Sequence, residues 1–473
     1  PFRKEREGSD SMERGESICC SRWNRPGRGC TPGSGFLLGS LMVLCISSGL
    51  FGDPIPAAEG PSAQQGAEVM DGDSAPDEAA EERELRAEQL AEAESLVEAF
   101  PEDDNAIYLL GLVHLQLGDS ESAIATFERC KAMDPDRADL FESLGEAVLI
   151  RDAYDQAVEH FTRALTLEPS RFSARKKLAD TLLRMGRADE VLEVLQGHGA
   201  PDPEYYRILG AAHQQLGAFA PARDAFLRAI ELDPNLDDAF YGLSMVCARL
   251  GETEAAAEYR ERFREIKAKG QIQGRDWRRG FSPLEATRRS VAMTNTDVGR
   301  VFLSQRRMAP AMRLWERALQ LDPRNQDARW HLAYFLLQTG RASDAVPHWR
   351  ELCRSTPDYP RHHFHLGEAL TRTGRLEEAE SAFQQVIRLA PDRSEGYAGL
   401  CNLYLLQKRP GAELLPLAEK AVAIDTSPAN LVLLSIAFEQ YGDRKAALEA
   451  IERAVRLVPG DPKLLRRLQQ LTP

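Results

Sequence analysis

From Asp104 onward, apolar residues recur three or four positions apart in helix-length stretches, separated by short polar breaks that carry glycine or proline. That spacing puts one apolar stripe on each of a long series of α-helices and leaves no alternating pattern to build strands. The cleanest unit is Ala138 to Arg171, ADLFESLGEAVLIRDAYDQAVEHFTRALTLEPSR, which predicts two amphipathic helices joined by a tight turn. Pro169 closes the unit because its ring cannot continue the second helix. Equivalent prolines stand at 135, 234, 323, 357, 391 and 459, and neighbouring members of the series are 34 residues apart or a multiple of 34, with two exceptions. A fixed period of this length predicts an array of stacked helix pairs.

Small residues mark where the two helices of each pair cross. Leu144-Gly145 with Ala157, Phe161 and Ala164 returns in register as Leu110-Gly111, Ala123 and Phe127. It returns again as Leu209-Gly210, Ala222, Phe226 and Ala229, and as Leu366-Gly367, Ala379 and Phe383. A glycine lets two backbones approach, and the aromatic ring fills the space beside the contact. Gly118, Gly186, Gly217, Gly251, Gly340, Gly374 and Gly442 share one position between the helices, where a helix end favours positive φ.

These positions resemble the tetratricopeptide repeat, over about four-fifths of the chain. The resemblance implies an all-α, right-handed α-solenoid of antiparallel helix pairs, stacked as one continuous spiral. Ten repeats are expected at 104–137, 138–171, 172–202, 203–236, 237–270, 292–325, 326–359, 360–393, 394–427 and 428–461, with a capping helix at 462–473. The two exceptions to the ruler have meaning. Pro169 to Pro234 is three residues short of two periods, so repeat 172–202 has lost residues near Gly197-His198-Gly199. Pro234 to Pro323 exceeds two periods by 21, which defines a spacer at 271–291 between array 1 (104–270) and array 2 (292–461). Ser282-Pro283-Leu284-Glu285 reads as a capping box that starts a long, rigid helix.

In the resembled family, the first helices line a concave groove where peptides bind. On that register the inward residues of array 1 include Asn105, Tyr108, Leu112, Asp139, Glu142, Glu146, Lys176, Asp180, Glu204, Arg207, Asp238, Tyr241 and Met245. In array 2 they include Met293, Arg300, Asp327, Trp330, Tyr334, Arg361, Phe364, Glu368 and Arg372. Aromatic and arginine side chains bury large area and fix carboxylates bidentately, so the candidate partner-binding residues are Trp330, Tyr334, Arg361, Phe364, Glu368 and Arg372, with Tyr108, Tyr241 and Arg300. The lysines and asparagines with which co-chaperone members grip a terminal carboxylate are missing. Their positions hold Tyr108, Leu112, Glu142, Glu146 and Asp180, and only Lys176 matches in type.

The first hundred residues have a different composition. Thr31 to Gly52 is uncharged, is largely apolar from Phe36 to Phe51, and follows Arg14, Arg22, Arg25 and Arg28. This reads as a signal or N-terminal anchor within a leader at 1–52, with the repeats exported, periplasmic or membrane-anchored outside the cytoplasm. Translation from Met42 would instead leave the protein cytoplasmic. Leu44 before Cys45 argues against lipidation there. A disordered acidic linker is expected at 53–83 and a capping half-repeat at 84–103. Residues 53–104 hold seventeen acidic side chains against Arg83 and Arg86, while the whole chain carries −14, so the repeats are nearly neutral.

Little in the repeats points to chemistry. Cys130, Cys247, Cys353 and Cys401 stand singly in separate repeats, which favours packed thiols over a disulfide framework or cofactor attachment. His362 and His365 share a helix side, yet no third ligand has a matching spacing, so no metal is expected. Lys267, Lys269, Arg275, Arg278 and Arg279 surround Trp277 in a pattern that fits a solvated linker or an acidic surface better than nucleic acid. No nucleophile elbow, phosphate loop or dinucleotide fingerprint occurs. The expectation is a non-catalytic scaffold for a protein or peptide partner, without cofactors. The alternatives are the regulatory portion of an enzyme such as a glycosyltransferase, or an assembly factor for an envelope complex. The excess of arginine over lysine and the style of the leader suggest a bacterial source.

Overall fold

The computed structural model describes residues 75–196, 202–280 and 283–472, with side chains described from Glu78 and not at 269–280. Helix α1 (Ala75–Ala99) precedes the repeats. Array 1 comprises the pairs α2 (Asp104–Gln116) with α3 (Ser120–Met133), α4 (Ala138–Leu149) with α5 (Tyr154–Leu167), and α6 (Phe172–Arg184) with α7 (Ala188–Leu195). It continues with α8 (Pro203–Gln215) and α9 (Phe219–Leu232), then α10 (Asp237–Leu250) and α11 (Thr253–Gly280). Array 2 comprises α12 (Pro283–Ser304) with α13 (Met308–Leu321), α14 (Gln326–Gln338) with α15 (Ala342–Ser355), and α16 (Pro360–Arg372) with α17 (Leu376–Leu389). The pairs α18 (Ser394–Leu406) with α19 (Gly411–Ile424) and α20 (Pro428–Tyr441) with α21 (Arg444–Leu457) follow, and α22 (Pro462–Leu471) covers the end. Among the described residues there is no strand. The fold is an all-α solenoid of antiparallel helix pairs.

Each pair turns at the same residue. The seven glycines named above have φ between 73° and 98°, and the other three repeats place Asp152, Arg306 and Lys408 there at φ 55° to 57°. The left-handed conformation is thus a property of the turn, which three repeats hold without the residue that suits it best. The close crossing is equally regular: a Cβ placed on Gly145 would lie 2.4 Å from the Phe161 ring, itself fully buried. In array 2 the same slots take larger rings, with Trp315 facing Gly299 and Trp349 in the next repeat, both fully buried. Burying such a side chain contributes roughly 2–3 kcal/mol.

Three expectations need correction or completion. Helix α1 begins at Ala75 rather than 84, so part of the expected linker is helical. Residues 79–94 are rich in Ala, Glu, Leu and Arg, which favour helix, and Arg86 pairs with Glu82 one turn away at 2.5 Å. The short pair at 172–202 is completed by an eight-residue α7, while Gly197-His198-Gly199 lies outside the described residues. The spacer consists of the end of α11 and the start of α12, with Pro283 opening α12 and Ser282 outside the described residues.

The larger correction concerns continuity. Among the described residues α11 shares at most a marginal contact with α12, whereas α1 packs on both α12 and α2, and α12 also touches α2. The arrays therefore meet at their first repeats, and the spiral is not continuous in chain order. The cause is apolar matching: Leu85 of α1 packs with Leu284 and Val291, and Phe100 meets Phe302 edge-on at 5.4 Å. One hydrophobic core runs from α1 through α6 and into α12 through α18. Helix α1 covers two apolar ends at once instead of capping one.

Candidate functional site

The first helices carry the candidate surface, because the second helix of each pair covers their other side. On α14, Trp330 and Tyr334 are one turn apart and stack almost parallel, with ring centroids 5.1 Å apart and planes at 8°. From α16, His365 meets both rings edge-on at 6.4 and 5.7 Å. On its other side His365 tilts against Trp349 at 4.9 Å, and Trp330 also stands perpendicular to Trp349 at 6.1 Å. The fully buried Trp349 is the floor of this cluster, and Trp330 is partly buried against the core. Tyr334 remains 38% exposed.

The other predicted residues of array 2 are partly engaged. Phe364 packs into the core and meets Phe383 at 5.9 Å. Glu368 accepts from His365 Nδ1 at 2.9 Å, and Arg372 donates to the carbonyl of Leu337 at 2.7 Å. Arg361 is half-buried, and Arg300 is paired with Asp297. Asp297 has its carboxyl raised by burial against the opposing pull of Arg300. Trp330, Tyr334, Phe364 and the residues around His365 thus form one patch, while Tyr108 and Tyr241 lie in array 1.

Tyr241 is 52% exposed and leans on Phe263 at 5.4 Å, with Met245 exposed one turn along. Tyr108 has a structural role. Its hydroxyl lies 3.0 Å from Ser143 Oγ, its face is covered by the Arg137 guanidinium at 4.0 Å, and burial raises its pKa. It binds its own neighbouring repeat.

Array 1 also contains an ionic ladder that the sequence reading did not assemble. Buried Arg137 donates to Asp104 at 3.0 Å, Asp139 at 2.9 Å and Asn105 at 3.0 Å. Arg171 pairs with Glu142 and with Glu168 at 2.9 Å, and Lys177 bridges Glu142 at 2.6 Å and Glu146. Arg207 joins Asp180 at 3.2 Å and Glu204 at 2.5 Å, and Lys176 reaches Asp202 at 2.6 Å. Burial pushes the Glu142 carboxyl up, but Lys177 and Arg171 outweigh it and hold the group below its ordinary range. A signal was available: Arg137 and Arg171 are 34 residues apart, each two residues after its repeat's proline.

The histidines and cysteines also have structural surroundings. His362 Nδ1 lies 2.8 Å from Thr356 Oγ1, and His363 Nε2 lies 2.8 Å from the carbonyl of Pro357. Burial pushes His362 down to about 4, with the charge of His365 adding to it. His331 stacks on Trp315 at 5.0 Å and is pushed down to about 3 by burial, then by Arg300. No cluster of three or more metal-ligating side chains occurs among the described residues. Burial raises the thiols of Cys130 and Cys353 to about 12 and those of Cys247 and Cys401 to about 11, values that suppress thiolate chemistry. Apart from Lys267, the side chains of the basic cluster around Trp277 lie outside the described residues.

A solenoid of helix pairs with an exposed aromatic patch on its first helices, and packed thiols and imidazoles elsewhere, defines a repeat scaffold. Tetratricopeptide repeat models match residues 104–137, 149–212, 203–236, 302–363, 337–394 and 366–430. The chain belongs to the tetratricopeptide repeat family. A tetratricopeptide repeat protein 21 homolog of Caenorhabditis elegans is 23% identical over 268 residues, covering 53% of this chain and 19% of that protein. Protein FlbA of Caulobacter vibrioides is 25% identical over 184 residues, covering 37% of this chain and 31% of its own length. The chain thus spans less than a third of these curated relatives. Among solved structures, residues 41 to the end of MamA from Desulfovibrio magneticus match at 23% identity, covering 35% of this chain and 97% of that one, with a TM-score of 0.34.

Proposed function

We propose that this protein is a non-catalytic scaffold that holds a protein or peptide partner against the first helices, with the patch around Tyr334 as its main contact. One observation carries the reading: Tyr241, Met245, Met293 and Tyr334, all at inward register positions, stay exposed although each is large and apolar. Large apolar side chains left exposed at such positions favour burial by a second molecule. The stacked Trp330 and Tyr334 pair presents a rigid ring at small entropic cost, which suits an extended segment laid across neighbouring repeats.

The proposal extends to location. The uncharged stretch 31–52 is taken as a signal or tether that leaves the repeats outside the cytoplasm, in a bacterium. It lies outside the described residues, and no described helix is long and apolar enough to cross a membrane.

A photo-reactive phenylalanine at position 334 or 241, compared with one at Arg354 on a second helix, tests the surface in the source cells. Cross-linked proteins should be recovered from positions 334 and 241 and not from 354. Arg361→Ala in the neighbouring repeat should lower recovery from 334 by ~10-fold, with the melting temperature moving by no more than about 2 °C. Equal recovery from all three positions would refute the reading.

A further inference from the structure

Helix α1 is held in two ways along its length. Its C-terminal part is apolar and seated: Ala93, Leu96 and Val97 are buried, and Phe100 beyond its end packs on Phe302. Its earlier part has one buried apolar anchor, Leu85, and is otherwise held by charge. Glu81 accepts from Arg288 at 2.5 Å, Glu88 accepts from Arg317 at 2.7 and 2.8 Å, and the Thr287 hydroxyl lies 3.3 Å from Glu82. Between the parts sits Gln89, only 2% exposed. Its amide nitrogen has Gln116 Oε1 of α2 and Thr294 Oγ1 of α12 at 2.8 Å, with Ser290 Oγ at 3.2 Å. One buried amide therefore ties α1 to both arrays. A direct link between them joins Gln305 Nε2 to Asp103 Oδ2 at 2.6 Å.

We propose that α1 is a two-part clasp whose apolar end, 93–99, stays seated while residues 81–89 open and close on α12 and α13, setting how firmly array 2 is held against array 1. The physical basis is the contrast between the two seats. Partly exposed ion pairs are weak and screened by salt, whereas buried apolar contacts are not. The acidic face of α1 also resists closing without its arginines: Glu92 has its carboxyl raised by burial and by Glu88. Opening the charged part uncovers Leu284 and Val291, which pack against Leu85. It also breaks the Gln89 node, so closure is all-or-none across three helices. A cap that only shielded one end of an array would have no reason to place charges toward a repeat some 200 residues away.

Amide hydrogen exchange on the full chain tests this. In Glu81→Arg with Glu88→Arg, amides of 81–89 and 284–294 should exchange at least ~10-fold faster, with 93–99 and α16 to α21 unchanged. Adding Arg288→Glu and Arg317→Glu should bring exchange back to within about threefold of the original chain. Raising salt from about 0.05 M to about 0.5 M should move the unmodified chain in the same direction as the first variant, by a smaller factor. Unchanged exchange at 284–294 would overturn the proposal, as would acceleration spread equally over 93–99 and both arrays, or failure of the charge swap to restore protection.

Discussion

At the fifth position of successive repeats, array 1 places Tyr108, Glu142, Lys176, Arg207 and Tyr241, whereas array 2 begins Thr296, Trp330 and Phe364. The backbones are the same and the chemistry is not. In array 1 the charged members spend their hydrogen bonds on adjacent repeats, as Glu142 does with Arg171 and Lys177. A side chain already paired in this way has little left for a partner, because binding would first have to break the pair. In array 2 the rings stack on one another over the floor of Trp349 and leave Tyr334 facing outward. Aromatic packing tolerates a further contact without losing those already made. The comparison teaches that one backbone can carry two chemistries, with charge pairs tying repeats together in one half and stacked rings that leave Tyr334 exposed in the other.

The largest expected effect comes from removing the floor. Trp349→Ala should destabilise array 2 by about 3–5 kcal/mol through the cavity left under Trp330 and His365. Region-resolved hydrogen exchange should show α14 to α17 loosening while α4 to α9 keep their protection. Loss of protection in both regions alike would mean that the arrays do not differ in independence.

Acidification should separate the arrays next. His331 and His362 have folded pKa values of about 3 and about 4, below the ordinary 6.5, and burial also lowers His348. The unfolded chain then binds more protons than the fold as pH drops below about 6.5. Stability falls until the folded values are reached, by roughly 1–2 kcal/mol per buried histidine at pH 5. The Glu142 carboxyl is shifted down instead, so its contribution persists above about pH 4.5 and is lost as pH falls through its folded value. Among the described residues of array 1 a single histidine is lowered by burial, His160. Between pH 6.5 and 5 the tryptophan fluorescence change on unfolding, reported by Trp315, Trp330 and Trp349, should therefore precede loss of protection in α4 to α6. The reverse order would contradict the ionic account of array 1.

The smallest effect probes what the arrays share. Arg306→Gly and Lys408→Gly relieve a positive φ in array 2 and should stabilise it by ~1 kcal/mol each. Asp152→Gly in array 1 should give less, since aspartate tolerates that conformation better. Denaturant midpoints of the three variants would rank them.

Much of the architecture was legible in the residues. The turn glycines, the crossing pair Gly145 and Phe161, and the repeat phase were readable because each is enforced within one hairpin, by backbone conformation or by a ring meeting a missing Cβ. The candidate surface was legible only in part. The register placed Trp330 and Tyr334 on one face, but their stacking under His365 and the consumption of Tyr108 by Arg137 depend on which neighbouring side chain reaches first.

The amino-acid sequence by itself determined that this chain folds as paired helices at a fixed period, since the forces responsible act over a few turns and repeat whenever the pattern repeats. Only the tertiary structure decided that α1 lies between α2 and α12 and joins the arrays at their first repeats. That arrangement rests on Leu85, Gln89 and Phe100 meeting partners about 200 residues further along, contacts that occur once and so leave no periodic trace in the chain.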